Sequence, residues 1–159
     1  MQKAGLGMYR KIVLLLLISL SVLAGCGKAD EAAGPQARKL TAEEIIHGFA
    51  GQGLELIQAD VRPESIFQME LNGQEPLVFL LQDEEISLYQ FPEAKERIAG
   101  WEDFEEHTQT ADSVPYKAYQ ERSVLLFYVQ DSGQAVEQEL DEKISGAIEA
   151  LLSLSEKEA

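Results

Sequence analysis

Apolar positions along this chain follow three different rhythms. The first is an unbroken run, IVLLLLISLSV over residues 12–22, set directly after Arg10 and Lys11. From residue 40 the spacing becomes helical. Ile45, Ile46 and Phe49 form a narrow stripe, opened by Thr41 and Glu44 at capping-box separation and stopped by Gly51 or Gly53. Leu40 is placed to staple onto Ile45, and His47 falls off the stripe toward solvent. Residues 54–57 begin a short strand that Arg62-Pro63 breaks. At residue 65 the period drops to two: Phe67, Met69 and Leu71 alternate with Gln68 and Glu70, and Asn72-Gly73 follows as a hairpin turn.

Pro76 opens the return strand, and Leu77–Leu81 is continuously apolar, as a strand covered on both faces would be. Asp83-Glu84 supplies the next turn and residues 86–91 the next strand, which completes a meander. Phe91-Pro92 ends that strand; Pro92 suits a first helical position, and Ala94, Ile98, Trp101 and Phe104 or Glu105 follow at helical spacing. Residues 114–119 and 123–129 predict a second hairpin turning at Glu121-Arg122, with Val124–Val129 again apolar on both faces. Val136, Leu140, Ile144, Ile148, Leu151 and Leu152 then trace the clearest 3.6-residue period in the chain. The order α-β-β-β-α-β-β-α, joined by hairpins, predicts an α+β fold: an antiparallel sheet of about five strands with three helices over its faces. Hairpin-then-helix occurs twice, about 38 residues apart (Ile86 against Val124), with poor residue matches between the two copies.

Length adds that residues 40–156 have room for one domain, large enough to bury a core. The chain's single cysteine is Cys26, so no internal disulfide supports that core. Charge is unevenly divided. Lys3, Arg10 and Lys11 lie among the first 25 residues, which hold no acid, so the formal net charge goes from −15 for the whole chain to −18 for residues 26–159. Such acidity opposes nucleic-acid binding, which needs a basic footprint, and opposes electrostatic adhesion to anionic lipid.

The basic start, the apolar run and Leu23-Ala24-Gly25-Cys26 together resemble the signal peptide and lipobox of bacterial lipoproteins. From residue 12 to Gly25 there are 14 residues, where a membrane span needs roughly 20. The resemblance implies that residues 1–25 are a lipoprotein signal peptide, with Leu23, Ala24 and Gly25 read by signal peptidase II. It implies that Cys26 becomes the mature N-terminus, carrying S-diacylglycerol and holding the chain to the outer, extracytoplasmic face of the cell membrane. Residues 26–39 (CGKADEAAGPQARK) lack apolar periodicity and read as a flexible tether with a reach on the order of 20 Å. The domain itself resembles small lipoproteins of Gram-positive bacteria. The shared features are the turn region Leu71-Asn72-Gly73-Gln74-Glu75-Pro76, the aromatic strand end Tyr89-Gln90-Phe91 and the apolar strand Val124–Val129. That likeness brings no activity with it.

Candidate chemistry is sparse. There is no G-x-S-x-G, no Gly-rich phosphate loop and no H-E-x-x-H, and no cofactor motif. One local cluster, Glu102, Asp103, Glu106 and His107, has i,i+4 pairs that on a helix would converge on a divalent cation; solvated acids at a helix end are the plainer reading. Trp101, Tyr89, Tyr116, Tyr119 and Tyr128 are core fillers or, if exposed, an interaction surface. These observations favour a lipid-anchored extracytoplasmic binding module, not an enzyme, whose partners are the membrane and an envelope protein. The alternatives are an envelope enzyme with a site dispersed in sequence, or a divalent-cation-binding lipoprotein.

Overall fold

Thr41 starts the first helix as its sequence spacing requires. In the computed structural model, which describes residues 38–111, 114–130 and 135–157, its backbone is extended and its Oγ1 accepts the Glu44 N–H at 3.3 Å. The Glu44 carboxylate returns to the Thr41 N–H at 2.8 Å, completing the capping box that opens α1, Ala42–Ala50. Leu40 is buried in the same core cluster as Ile45 and Phe49, and His47 is exposed. Gly53, at φ +74°, turns the chain out of the helix.

Five strands follow: β1 (Leu56–Gln58), β2 (Leu77–Leu81), β3 (Glu84–Gln90), β4 (Tyr116–Glu121) and β5 (Val124–Val129). They form one antiparallel sheet in the order β1-β2-β3-β5-β4. Helix α2 (Ala94–Thr108) lies between β3 and β4 in sequence, and α3 (Gln138–Lys157) closes the described chain. The α+β class, the strand number and the element order are those that the hydrophobic pattern predicts. The two hairpins, β2-β3 and β4-β5, pair in matching registers: Leu77 faces Leu88 in the first, and Lys117 faces Tyr128 in the second, each 40 residues on. The helices break that symmetry, because α2 packs with one face of the sheet and α3 with the other.

The first face carries Phe79, Leu81, Ile86, Leu88 and Leu126 against α1 and the Ile144, Ile148, Leu151, Leu152 stripe of α3. Asp141, early in α3, ties that helix to β4 by accepting the Tyr119 hydroxyl at 2.8 Å and pairing with Lys117. The second face is aromatic. Tyr89, Phe91, Phe127, Phe67 and Phe104 are buried together, with Phe104 and Phe127 centroids 4.5 Å apart and Trp101 half-buried beside them. All six residues of β5 are buried, as a strand sandwiched between two covered faces must be.

Several boundaries move for identifiable reasons. Residues 65–71 do not form a strand, although Phe67 and Leu71 are buried at the expected alternate positions. The Phe67 and Met69 carbonyls turn inward to the Tyr89 hydroxyl, at 3.0 and 2.7 Å, instead of bonding to a neighbouring strand. The segment therefore lies across the second face as an irregular flap, and only Leu71 and Gln74 bridge around Asn72-Gly73. The hairpin turns sit one residue away from the expected pairs. Gln82-Asp83 takes φ of 53° and 68° in place of Asp83-Glu84, and Arg122-Ser123 replaces Glu121-Arg122. Glu93, not Pro92, immediately precedes α2, and its N–H reaches the Glu96 carboxylate at 3.0 Å. On α2 the buried positions are Gly100 and Phe104, while Ile98 points out at 47% exposure.

Candidate functional site

Leu23, Ala24, Gly25 and Cys26 lie outside the described residues. Glu102, Asp103, Glu106 and His107 all fall on the last two turns of α2, which continues past Glu105 to Thr108. There Asp103 is already committed. One carboxylate oxygen accepts the Asn72 N–H at 2.8 Å and the other lies 3.0 Å from His107 Nδ1, so the residue fastens the Asn72-Gly73 turn to α2. His107 is held above its ordinary value by its bond to the Asp103 main-chain carbonyl, with the charges of Asp103 and Glu106 adding to it. Among the described residues no group of three or more His, Cys, Asp or Glu side chains is arranged to hold a metal ion. The tyrosines divide: Tyr89, Tyr119 and Tyr128 are buried, and Tyr116 is partly open at the edge of the aromatic face.

The polar constellation that the structure does assemble is built from residues 62, 65, 68, 85 and 87. Glu85 sits on β3, a central strand, facing the second side of the sheet at 7% exposure. In register its neighbours are Leu80 of β2 and Val129 of β5, so its carboxylate rises from an apolar floor. Burying a carboxylate in such a place requires a cation or several donors. Ser87 donates to Glu85 Oε1 at 3.0 Å, Ser65 stands 3.5 Å from the same oxygen, and the Arg62 guanidinium pairs with Oε2. The same carboxylate acts on Tyr89, whose hydroxyl is pushed up first by burial and then by the Glu85 charge.

Arg62 is held in place through its main chain. Its N–H donates to the Gln68 side-chain oxygen, and the Ser65 N–H donates to the Arg62 carbonyl at 3.0 Å. Its side chain is 61% exposed while its partner is 7% exposed, so the cation reaches the carboxylate from the solvent side. Gln68 is 3% exposed, and its Nε2 has no acceptor. Two recesses, of about 340 and 280 Å³, share Arg62, Glu85 and Val129. Asp60, Gln68, Val78, Leu80 and Asp83 line the first, and Ser65, Ile66, Phe67 and Val114 the second. Among the described residues, none that lines either recess belongs to a helix.

A larger recess of about 480 Å³ lies beside Leu40, Glu70, Pro76 and Gln90. Its central polar group is already spent, because the Gln90 amide accepts the Leu40 N–H at 2.7 Å and donates to the Leu40 carbonyl at 2.9 Å. The Glu85 constellation escapes a linear reading because Arg62 and Glu85 are far apart in sequence and Glu85 falls between the expected Asp83-Glu84 turn and the strand expected from residue 86. One signal does foreshadow it. In β3 the polar Glu85 and Ser87 alternate with Ile86 and Leu88 beside a neighbour, β5, that is apolar throughout. No protein-family model, curated protein or solved structure matches the chain.

Proposed function

We propose that this chain is a lipid-anchored binding module on the outer face of a bacterial cell membrane, attached through Cys26 and acting on an envelope component close to the lipid. The observation that carries the reading is Leu23-Ala24-Gly25-Cys26 at the end of the apolar run 12–22, behind Arg10 and Lys11. Two acyl chains at about 0.8 kcal/mol per buried CH₂ supply an attachment that the acidic domain cannot make by charge. Residues 27–37, rich in Ala and Gly, would span at most about 40 Å between that anchor and Arg38. At Arg38 the domain takes hold of the chain: Arg38 pairs with Glu44 at 2.7 Å, and Gln90 grips Leu40. A recess with buried polar groups, open at the end of the second face, suits binding of a small group presented by a partner. The test is metabolic labelling with a palmitate analogue. The native chain should take the label and sediment with membranes, and Cys26→Ser should give an unlabelled precursor of higher mass. A Cys26→Ser chain labelled and processed like the native one would refute the proposal.

A further inference from the structure

We infer that the Glu85 recess is a receptor for one basic side chain, an arginine or lysine of a partner protein, and that Arg62 is its built-in occupant. This rests on the binding-module reading and adds what is bound. Five observations converge on it. The carboxylate is fixed on a central strand and backed by Ser87, whereas Arg62 is 61% exposed and joined to the fold through its main chain. The side chain can therefore swing out while its backbone stays, and neither residues 62–64 nor the flap that follows them need unfold. The two recesses share Arg62, so its rotation joins them above Glu85.

The two serine hydroxyls serve only Oε1 of this buried carboxylate, so a cation that leaves Oε2 is best replaced by another. An incoming guanidinium or ammonium makes the bonds that Arg62 gives up, and the exchange is nearly balanced. The surroundings draw a cation in from solution, because Asp60 and Asp83 line one recess and Glu64 the other. Val78, Leu80, Ile66 and Val129 provide apolar walls for the aliphatic stem of such a side chain. Gln68 Nε2, buried and without an acceptor, then selects the context of the cation. A peptide residue brings its own main-chain carbonyl beside its basic side chain, and that carbonyl supplies the acceptor Gln68 lacks. A free amine or a bare cation does not.

The experiment uses the full-length lipoprotein in detergent micelles and the blocked peptide Ac-Gly-Gly-Arg-Gly-Gly-amide as probe, with the neutral citrulline peptide as control. Binding is read by calorimetry and by the shift of the Gln68 side-chain amide signal. Removing the occupant with Arg62→Ala should tighten binding of the arginine peptide at least tenfold over the native chain. Adding Glu85→Gln should abolish binding, and the citrulline peptide should bind neither form. Arg62→Met, which keeps the stem and drops the charge, gives the same comparison should Arg62→Ala not fold, with circular dichroism as the check on folding. Equal affinity in native and Arg62 variants, or equal binding of arginine and citrulline peptides, would overturn the inference. Binding of free ethylguanidinium as tight as that of the peptide would overturn the role given to Gln68 and with it the choice of a protein partner. Because the binding assay is indifferent to acylation, its failure beside a lipid-labelled native chain removes this inference and leaves the anchor standing.

Discussion

Gly100→Ala puts one carbon where the structure has no room for it. Gly100 lies in the middle of α2, where glycine is unfavourable by about 1 kcal/mol relative to alanine. The reason for keeping it is the Phe91 ring, which packs onto its Cα: an added Cβ would stand 2.7 Å from Phe91 Cε1 and nearer still to Cζ. The ring cannot retreat, since Phe91 is 2% exposed, stacks on Tyr89 at 6.3 Å and has its N–H bonded to the Ser123 carbonyl at 2.8 Å. Overpacking of this kind costs about 1–3 kcal/mol, and the short ring distances place this site at the upper end. Set against the helical gain, the net loss is about 1–2 kcal/mol, a fall in Tm of about 4–10 °C for a domain of this size. Urea and thermal unfolding followed by circular dichroism measure it. Phe91→Leu should relieve part of the clash, so the double variant should be more stable than the two single losses added together, by about 1 kcal/mol. Gly48→Ala is the comparison at an aliphatic neighbour. Its added Cβ would meet Leu151, 2.6 Å from Cδ2 and 3.3 Å from Cγ, and although Leu151 is buried its branched end can change rotamer, so the loss should be smaller than at Gly100. A Gly100→Ala protein as stable as the native one, or strict additivity with Phe91→Leu, would refute the reasoning.

Tyr89→Phe should cost about 1–3 kcal/mol by leaving the Phe67 and Met69 carbonyls without their buried partner. Hydrogen exchange should then accelerate selectively in residues 65–71; unchanged protection there would mean that the hydroxyl does not hold the flap. Glu44 is held down to about 2, chiefly by its hydrogen bond from Arg38 and next by the Thr41 N–H. A depressed folded-state value contributes stability above the ordinary carboxylate range that is lost as pH falls from about 4.5 toward 2. An NMR titration of the Glu44 side chain should have its midpoint near 2, and α1 should lose its N-terminal order over the same interval; a midpoint at the ordinary value would contradict the capping geometry.

What was legible in the sequence was whatever depends on neighbours along the chain. Thr41 and Glu44 announce α1 because the capping box is local, and the Ile144 to Leu152 stripe announces α3 because one helix face suffices to bury it. The doubly apolar β5 correctly implied cover on both faces of the sheet. Residues 65–71 misled because alternation records only which side chains are buried. It carries no information on where the backbone carbonyls go, and here they go to Tyr89. The turns shifted because the left-handed positions are filled by Gln82, Asp83 and Arg122, none of them glycine, so composition gave no mark. The recess was hidden for a different reason: its parts are an arginine ahead of the flap, a glutamate at the start of a strand and a glutamine between two apolar residues. Each is unremarkable alone, and the tertiary fold makes the site.

The grip of Gln90 on Leu40 sets how mechanical load would travel through the molecule. Its amide offers the Leu40 main chain one acceptor and one donor, the pair a neighbouring strand would offer. Tension applied ahead of Arg38 therefore meets β3, at the centre of the sheet, before it can peel α1 from the core. Strand β3 is bonded on both sides, to β2 and to β5, and passes the force on as shear shared by both ladders. A domain pulled from its N-terminal end is thus loaded through a strand paired on both sides, and at the end of β3 opposite to Glu85 and its flap.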